Sequence, residues 1–530
     1  MTPPTTCDAV IIGGGHNGLT CAGYLAAAGL NVRVLERRSV VGGAAVTEEF
    51  HPGFRNSVAS YTVSLLHPKV IADLGLKDFG LTIRERPMAN FMPLPDGDHL
   101  KLDGAGEDSR RDLARFSERD AQALPHYYRR LERVSDLIRA LMLETPPNAG
   151  GGLRDLLRLM KVGRRAHRLD LEAQRDLLSL FSRSAGDWLD AWFECEPLKG
   201  LLGFDAVVGT FASPYTPGSA YVLLHHLVGE VNGKRGRWGH AVGGMGAITQ
   251  AMAKSAAARG ARISTDAPVR RVLVENGKVS GVELVDGEVV SAPRVVANVN
   301  PKLLYLELMD AADLDPAFLR RMREYRCGSA SFRMNVALSE LPDFRALPGK
   351  TPQPHHMSGI FVCPSLGYMD RAYTDAKEHG WSREPVIEML IPSAVDETLA
   401  PKGAHVASLF CQHFSPQLPG GRSWDQEKEA AADLIIDTID AYAPNFRASV
   451  VGRQVLSPQD LEREFGLTGG DIFHGALTLD QLFSARPLLG YGDYRGPVRG
   501  LYMCGSGTHP GGGVSGIPGH NAAREILRDR

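Results

Sequence analysis

The sequence predicts an α/β protein of two lobes, in which one domain is assembled from three separated stretches of the chain. Three observations support this prediction. At 530 residues the chain is too long for one ordinary hydrophobic core. Its start reads as strand, glycine-rich turn, helix and strand, and its end repeats the order of strand, glycine-rich loop and helix. Between these ends lies a group of alternating apolar runs separated by turn dipeptides.

The N-terminal unit has the order of a Rossmann-type dinucleotide-binding motif. It predicts a buried strand, a helix and a second strand over residues 9–12, 19–28 and 31–35. Gly13, Gly15 and Gly18 fit G-x-G-x-x-G, which allows a tight turn, close approach of a pyrophosphate and close packing of the helix. The helix N-terminus offers N–H groups to phosphates, and Glu36 can accept hydrogen bonds from ribose hydroxyls.

The residues after the second strand indicate which dinucleotide is held. Gly42 and Gly43 form a second glycine pair, which in flavoproteins of the glutathione-reductase class gives further backbone contact to the FAD pyrophosphate. The alternative is an ordinary loop turn, because Gly-Gly is a general turn signal. The pair favours FAD over a nicotinamide cofactor.

Two later segments complete the same predicted domain. A helix is expected over 247–259, and alternating runs around the turn dipeptides at 276–277 and 286–287 predict a three-stranded meander. The run 294–298 returns as a core strand. At the end of the chain, the loop 505–519 leads into a helix over 520–528, whose N-terminus would stabilise negative charge on a reduced flavin. Pro518 suits a first-turn position.

With both ends of the chain in view, the sequence resembles the phytoene-desaturase-like FAD-dependent oxidoreductases over essentially its whole length. The segments that carry the resemblance are IIGGGHNGLTCAGYLA, GFDAVVGTFASPYTPGSAYVLLHH, GGMGAITQAMA, FHGALTLDQLFSARP and GLYMCGSGTHPGGGVSGIPGHNAA. The resemblance implies non-covalent FAD and a flavin-dependent dehydrogenation, without a defined substrate. Flavoproteins of this kind usually have Arg after the second glycine pair. Ala44 departs from this, as in the carotenoid-desaturase branch, and points away from amine oxidases.

The motifs and the resemblance together predict the FAD contacts and the division into domains. The expected contacts are Gly13, Gly14, Gly15, His16, Asn17, Gly18, Glu36, Arg37, Gly42, Gly43, Ala44, Ala45, Val269, Gly505, Ser506, Gly516 and Ile517. The FAD-binding domain is expected to comprise 1–90, 236–305 and 489–530, and the substrate-binding lobe 91–235 and 306–488. The first insertion is mostly helical in pattern. The second predicts strands at 332–338, 386–391 and 405–414 and a helix near 426–442.

The predicted function is dehydrogenation, that is desaturation, of a hydrophobic substrate of isoprenoid or lipid-like kind, by hydride transfer to the flavin. Two alternatives stay open: a flavin amine oxidase, and an FAD-bound interaction or regulatory protein without turnover. The sequence contains no second nicotinamide-binding unit and no close cysteine pair for disulfide chemistry. Oxygen, a quinone or another carrier is therefore the expected electron acceptor.

His509 is the first candidate for a base or polar clamp, because it lies in the glycine-rich loop expected beside the flavin. The alternative is a loop histidine that satisfies backbone groups. His474 and the pair His225 and His226 are further candidates, each with the alternative of a hydrogen-bonded histidine in a packed segment. Tyr215 and Tyr221 are candidates for the pocket wall, although aromatic residues in a helical segment are more often core.

Charge, cysteine content and hydropathy indicate which binding partners and which compartment to expect. With 59 basic against 61 acidic residues and a net charge of -2, the chain lacks the basic surplus of a nucleic-acid-binding protein. The 7 cysteines show no metal-ligand spacing, so we expect no metal and a reducing compartment. Few residues precede Asp8 and no apolar run is long enough to span a membrane, so we expect a cytoplasmic protein without a targeting peptide.

One segment, 151–169, allows peripheral contact with a membrane. Leu153, Leu156, Leu157 and Met160 share one helical face, while basic residues recur on the other. A cap helix with a solvated basic face is the expected arrangement. The alternative is a helix that lies on an anionic membrane surface and lets a lipophilic substrate enter the enzyme directly.

Overall fold

A parallel sheet of five strands brings the three separated stretches together. The structure is a computed structural model that describes residues 5–530. In spatial order the strands are Arg262–Ser264, Val32–Leu35, Ala9–Ile12, Val295–Ala297 and Leu501–Met503. The central strand Ala9–Ile12 is buried along its whole length, as the unbroken apolar run predicts for a strand covered on both faces.

The two faces of this sheet are covered differently. Ala9 and Ile11 belong to a core shared with helices, and Val10 and Ile12 to a core shared with a meander. The helices are His16–Ala27, Gly246–Ala258 and Ile517–Arg528. The meander strands are Val269–Glu275, Lys278–Leu284 and Val289–Ser291, and Thr5–Thr6 pairs beside the last of them. The C-terminal helix begins three residues earlier than predicted, which places Pro518 in its first turn.

A mixed sheet of seven strands forms the second lobe. In spatial order its strands are Val450–Leu456, Phe332–Leu338, His405–Phe414, Trp381–Leu390, Gly359–Val362, Asn90–Pro93 and His99–Leu102. Neighbours are antiparallel except Gly359–Val362 and Asn90–Pro93, which run parallel. The predicted strands at 332–338 and 405–414 match, and the strand predicted at 386–391 begins earlier, at Trp381.

Helices cover both sides of the seven-stranded sheet, and further helices pack on these helices or on the meander core of the first lobe. They are Glu107–Ala114, Glu118–Met142, Leu153–His167, Leu171–Ser182, Ala185–Asp190, Glu196–Val207, Ser219–Leu227, Pro316–Glu324, Leu366–His379, Trp424–Asp440, Phe446–Ser449 and Pro458–Phe465; Pro68–Asp73 belongs to the first lobe. The first insertion is therefore mostly helical, as predicted. Its start is not, because Phe91 and Met92 pack on opposite faces of the sheet and require a strand there.

The remaining strands of residues 5–530 form short two-stranded sheets. They pair Thr47–His51 with Phe54–Ser57, Ile83–Glu85 with Gly239–Ala241, and Glu230–Val231 with Lys234–Arg235. The predicted domain boundaries stay a prediction, although all strands of the parallel sheet lie in the ranges assigned to the FAD-binding domain. Within residues 5–530, none of the helices combines the length and the apolar character needed to cross a membrane.

Candidate functional site

A cavity of about 290 Å³ lies where the strands Ala9–Ile12, Val32–Leu35 and Val295–Ala297 end. Ten of the predicted FAD contacts line it: Gly13, Gly15, His16, Glu36, Arg37, Gly42, Gly43, Ala44, Val269 and Ser506. The carboxyl ends of parallel strands are the usual place for a dinucleotide in an open α/β sheet. The sequence motifs therefore converge on one space.

Most of the other predicted FAD contacts do not line the cavity themselves but contact residues that do. Gly14 donates its N–H to Glu36, Asn17 bonds Ser506, Gly18 packs under Gly13, Ala45 donates to the Gly42 carbonyl, and Gly505 packs on Asn298. Gly516 and Ile517 lie elsewhere: Ile517 is buried in a cluster with Leu65, Met142 and Val228. The N–H of Ile517 donates to the Ser515 hydroxyl, so that this helix end already has a partner.

The glycine-rich turn requires glycine at defined positions. Gly13 has φ +96°, Gly42 has φ +135°, and both lie in the left-handed region that L side chains rarely adopt. A Cβ at Gly18 would stand 2.3 Å from the Gly13 carbonyl oxygen, because the helix packs directly on the turn. The backbone can therefore approach a ligand without a side chain between them.

Glu36 is fixed at the edge of the cavity by two backbone groups. Its Oε2 accepts from the N–H of Gly14 at 2.8 Å and its Oε1 from the N–H of Arg38 at 2.9 Å. The carboxylate is buried, and each of its oxygens keeps a lone pair for another donor. This geometry suits a group that accepts hydrogen bonds from ribose hydroxyls.

Several buried polar atoms at this cavity have no hydrogen-bond partner in the described residues. They are His16 Nε2, Asn17 Oδ1, Arg38 Nη1 and His474 Nδ1. Three of these residues line the cavity directly, and Asn17 contacts Ser506 of its wall. Buried polar groups are ordinarily paired, so such a group of unpaired donors and acceptors indicates a polar ligand. The residues present fit a dinucleotide with phosphate and hydroxyl groups.

His474 is held in this cavity by a strained and well-anchored loop. Its φ is +58°, which is uncommon for a residue with a side chain. The buried Asp471 carboxylate accepts N–H groups of Phe473 and Gly475 on either side of it. Burial, followed by the nearby Arg486, lowers the pKa of His474 to about 4. The imidazole is therefore neutral at pH 7.

Arg486 joins this loop to the C-terminal glycine-rich loop. Its guanidinium is completely buried and donates to the carbonyls of Phe473 at 2.6 Å, Gly475 at 3.3 Å and Ser506 at 3.0 Å. These acceptors are neutral carbonyls, so the arginine introduces a fixed positive charge between the loops. One side chain thus positions both His474 and Ser506.

His509 faces a different cavity, of about 410 Å³, on the other side of these loops. Its Nε2 lies 3.0 Å from the carbonyl oxygen of Leu141, which can only accept, so Nε2 carries the proton and Nδ1 holds the lone pair. Burial lowers the pKa of His509 to about 4. The two predicted catalytic histidines therefore lie in separate cavities, and their roles stay predictions.

The 410 Å³ cavity is almost entirely apolar. Its wall consists of Leu137, Ile138, Leu141, Met142, Val162, Ala166, Gln174, Leu177, Leu178, Phe181, Tyr221, His225, Val228, Leu482, Phe483, His509 and Pro510. His225 and Tyr221 line it, whereas His226 donates Nδ1–H to the Val222 carbonyl and Tyr215 bonds Asp190 outside it. His225 packs edge-to-face on Phe473, the neighbour of His474, with ring centroids 5.7 Å apart. The two cavities are therefore adjacent.

The cysteines lie away from both cavity walls. All seven are free, and none lines either cavity. Cys21 and Cys504, distant in sequence, contact each other in a buried core beside the parallel sheet and away from the cofactor cavity. Burial holds the pKa of Cys504 well above its ordinary value, so its thiol is not a ready nucleophile. In residues 5–530 no three His, Cys, Asp or Glu side chains are grouped to hold a metal.

Sequence reasoning missed part of the cofactor cavity. Arg38, Asn298 and residues 464–467 line it, and Asp471 and Arg486 hold its loops. The segment FHGALTLDQLFSARP, which contains Arg486, was a usable signal. Residues 464–467 comprise the end of the helix Pro458–Phe465 and the two residues after it, and they carry no motif of their own.

Comparison with known proteins identifies the relatives of this chain. It is 45% identical to rat (Rattus norvegicus) pyridine nucleotide-disulfide oxidoreductase domain-containing protein 2, over 98% of this chain and 93% of that protein. It is 26% identical to the lycopene-forming phytoene desaturase of Pseudescherichia vulneris, over 96% of each chain, so the resemblance drawn from the motifs is confirmed. Wild-type putrescine oxidase bound to putrescine shares the fold, with a TM-score of 0.61 and 17% identity over 99% of both chains.

A family description also matches the chain directly. The family of flavin containing amine oxidoreductases matches residues 18–331, which is more than half of the sequence. Ala44 therefore does not separate this chain from that family, although the match does not define a substrate. Membership implies FAD, in agreement with the fit of the cavity at the ends of the parallel strands. The chain belongs to the flavin-containing amine oxidoreductase family.

Proposed function

We propose that this chain is an FAD-dependent dehydrogenase that desaturates a hydrophobic substrate, of isoprenoid or lipid-like kind. The observation that supports it most is the 410 Å³ cavity beside the cofactor cavity, because apolar side chains form most of its wall and no Asp or Glu lines it. An apolar cavity of this size favours a hydrocarbon-like molecule over a charged one. The similarity to a phytoene desaturase supports the same reaction class.

The chain's own residues would hold non-covalent FAD in the 290 Å³ cavity. The N-terminus of the helix His16–Ala27 would bind the pyrophosphate, and Glu36 the ribose. Arg38 Nη1 and His16 Nε2 supply further unpaired polar atoms. When bound, the flavin supplies the acceptor for a hydride. The apolar side chains of the larger cavity exclude water from the substrate and hold it in place.

His509 is our candidate for the base that accepts the proton leaving the substrate during desaturation. The Leu141 carbonyl fixes the neutral tautomer with the lone pair on Nδ1, the atom that would accept this proton. A pKa of about 4 keeps the imidazole neutral at pH 7, although it also makes it a weak base. Oxygen or a quinone is the proposed electron acceptor.

Anaerobic reduction of the purified flavoprotein tests this proposal. Bleaching of the flavin absorbance by isoprenoid or lipid-like donors is expected, and its loss in Ala166→Trp at unchanged flavin content would place the substrate in the apolar cavity. Arg154→Trp, at an exposed position on the same helix, is the matched control. Bleaching by amines alone would replace the proposal by an amine oxidase. Bound FAD that no donor reduces would indicate a protein without turnover, and colourless protein that binds no FAD would exclude all three.

A further inference from the structure

The helix Leu153–His167 presents its apolar residues to the solvent. Leu153 is 71% exposed, and Leu156, Leu157, Leu159 and Met160 are each more than half exposed. On the following helix, Leu171 and Leu178 are 63% and 69% exposed. These seven residues form what we call the apolar face. The expected cap helix keeps exposed basic residues such as Lys161 and Arg168, but its leucines are exposed as well.

Ion pairs on the inner side fix this orientation. Arg158 contacts Glu525 at 3.3 Å, Lys161 contacts Glu144 at 2.7 Å, and Arg165 donates to the Ala140 carbonyl at 2.8 Å. Glu525 is buried, and Arg158 is paired with it together with Arg495 and Arg528. The helix is attached to the protein through its basic side, and its apolar side is left uncovered.

The charges that remain free around the apolar face are positive. Arg164, Arg168 and Arg175 are exposed, and their side chains form no hydrogen bond or ion pair within residues 5–530. At 100° per residue, Arg164 lies on the side of Leu153 and Met160, and Arg175 on that of Leu171 and Leu178. The acidic residues of the same stretch are already paired with arginines: Asp155 with Arg158, Asp170 and Glu172 with Arg133, and Asp176 with Arg130.

The apolar face continues into the large apolar cavity. Val162 and Ala166, on the inner side of the first helix, line the 410 Å³ cavity. Leu178 belongs to both: it lines the cavity and is 69% exposed. The cavity therefore opens at Leu178, within the apolar face, and not into a polar surface.

We propose that the apolar face docks on an anionic lipid bilayer and that the cavity opens into the lipid at Leu178. Exposed leucines ringed by unpaired arginines match the apolar interior and the anionic headgroups of such a bilayer. A second copy of this chain is a poorer occupant, because a two-fold contact would bring the unpaired arginines of both copies together. The docking itself is independent of the proposed function. Only the statement that a lipophilic substrate enters by this route depends on it.

Co-sedimentation of the full-length protein with vesicles tests the docking. The probes are vesicles of phosphatidylcholine alone and of phosphatidylcholine mixed with phosphatidylglycerol. The triple variant Leu156→Ser, Leu157→Ser, Met160→Ser should weaken binding to the anionic vesicles roughly tenfold or more. Its matched control is Val285→Ser, Val451→Ser, Leu479→Ser, at three other exposed apolar positions. The control should bind like the parent protein.

A second pair of variants tests the charges. Arg164→Gln, Arg168→Gln should weaken binding to the anionic vesicles roughly thirtyfold at low salt, and Arg110→Gln, Arg320→Gln, at two other exposed arginines, should not. Equal binding to both kinds of vesicle would overturn the anionic preference. Absence of vesicle binding would overturn the docking. The occupant would then be a second copy of this chain if the parent protein is a dimer and the triple serine variant is a monomer. The vesicle assay needs neither FAD nor turnover. Its result therefore tests the docking even if the proposed enzymatic function is wrong.

Discussion

Substitution of Gly18 by alanine is the sharpest test of the glycine-rich turn. Gly18 lies in the first turn of the helix His16–Ala27, where an added Cβ would stand 2.3 Å from the Gly13 carbonyl oxygen and 2.9 Å from Asn298 Nδ2. Real Cβ atoms essentially never approach another heavy atom closer than 3.0 Å. The helix and the turn must therefore separate by about 0.7 Å, against close packing that resists such movement.

Two opposing contributions set the expected change in the free energy of unfolding for Gly18→Ala. Alanine gains roughly 0.5–1 kcal/mol over glycine in a helix. Overpacking of a close-packed interior costs about 1–3 kcal/mol, and the upper part of this range applies because a backbone carbonyl cannot rotate away as a side chain can. We expect Gly18→Ala to lower the free energy of unfolding by about 1–2 kcal/mol. We also expect weaker FAD binding, because the displaced residues form the cavity wall.

Urea unfolding of the apoprotein and the flavin content of the purified protein measure these effects. Gly163→Ala is the matched control: Gly163 lies in the helix Leu153–His167, and an added Cβ there meets nothing within 4 Å. The same chemical change should then stabilise the protein by roughly 0.5–1 kcal/mol. If Gly18→Ala is as stable as Gly163→Ala and retains its flavin, the close packing of the helix on the turn is not required for stability or for FAD binding.

Three further predictions follow from the hydrogen bonds and pKa values of the site. Glu36→Gln replaces one accepting oxygen by an NH₂ group that faces a backbone N–H. FAD titration of the apoprotein should show binding weaker by about ten- to a hundredfold, since a hydrogen bond to a charged group contributes about 1.5–3 kcal/mol. Arg486→Met removes the donor of five carbonyls, those of Phe473, Gly475, Ala476, Gln481 and Ser506, so hydrogen exchange at 473–476 and 505–507 should accelerate, while unchanged protection would contradict its role as a clamp. The pKa values of His474 and His509, lowered by burial to about 4, mean that the unfolded chain binds more protons below pH 6.5 than the folded one does. Each histidine should therefore cost roughly 2 kcal/mol of stability between pH 8 and pH 5, and equal urea midpoints at the two pH values would refute this.

The parts of the site that were predictable from sequence are those that depend on local backbone requirements. Gly13 and Gly42 must be glycine because of their positive φ, and Glu36 must follow its strand to meet the turn. Such requirements have fixed spacings, so a sequence pattern reveals them. Residues 464–467 reach the same cavity only because the second lobe folds onto the first, and no local pattern encodes that contact. His509 lies in the predicted glycine-rich loop, but its side chain lines the apolar cavity and not the cofactor cavity. The direction of a side chain in a turn is set by its tertiary partner, which here is the Leu141 carbonyl.

The helix Leu153–His167 shows a different limit. Its periodicity correctly grouped the leucines on one side and the basic residues on the other, but a two-sided pattern has two orientations on a protein surface. Burial of the leucines is the usual choice, because apolar area removed from water stabilises the fold. Here the contacts of Lys161 and Arg165 with Glu144, and of Arg158 with the buried Glu525, favour the opposite orientation. Those acids lie on elements distant in sequence or outside the helix, so the pattern alone could not reveal them. The exposed leucines are then a cost to the isolated protein that a lipid surface would remove, which is why the orientation itself favours docking.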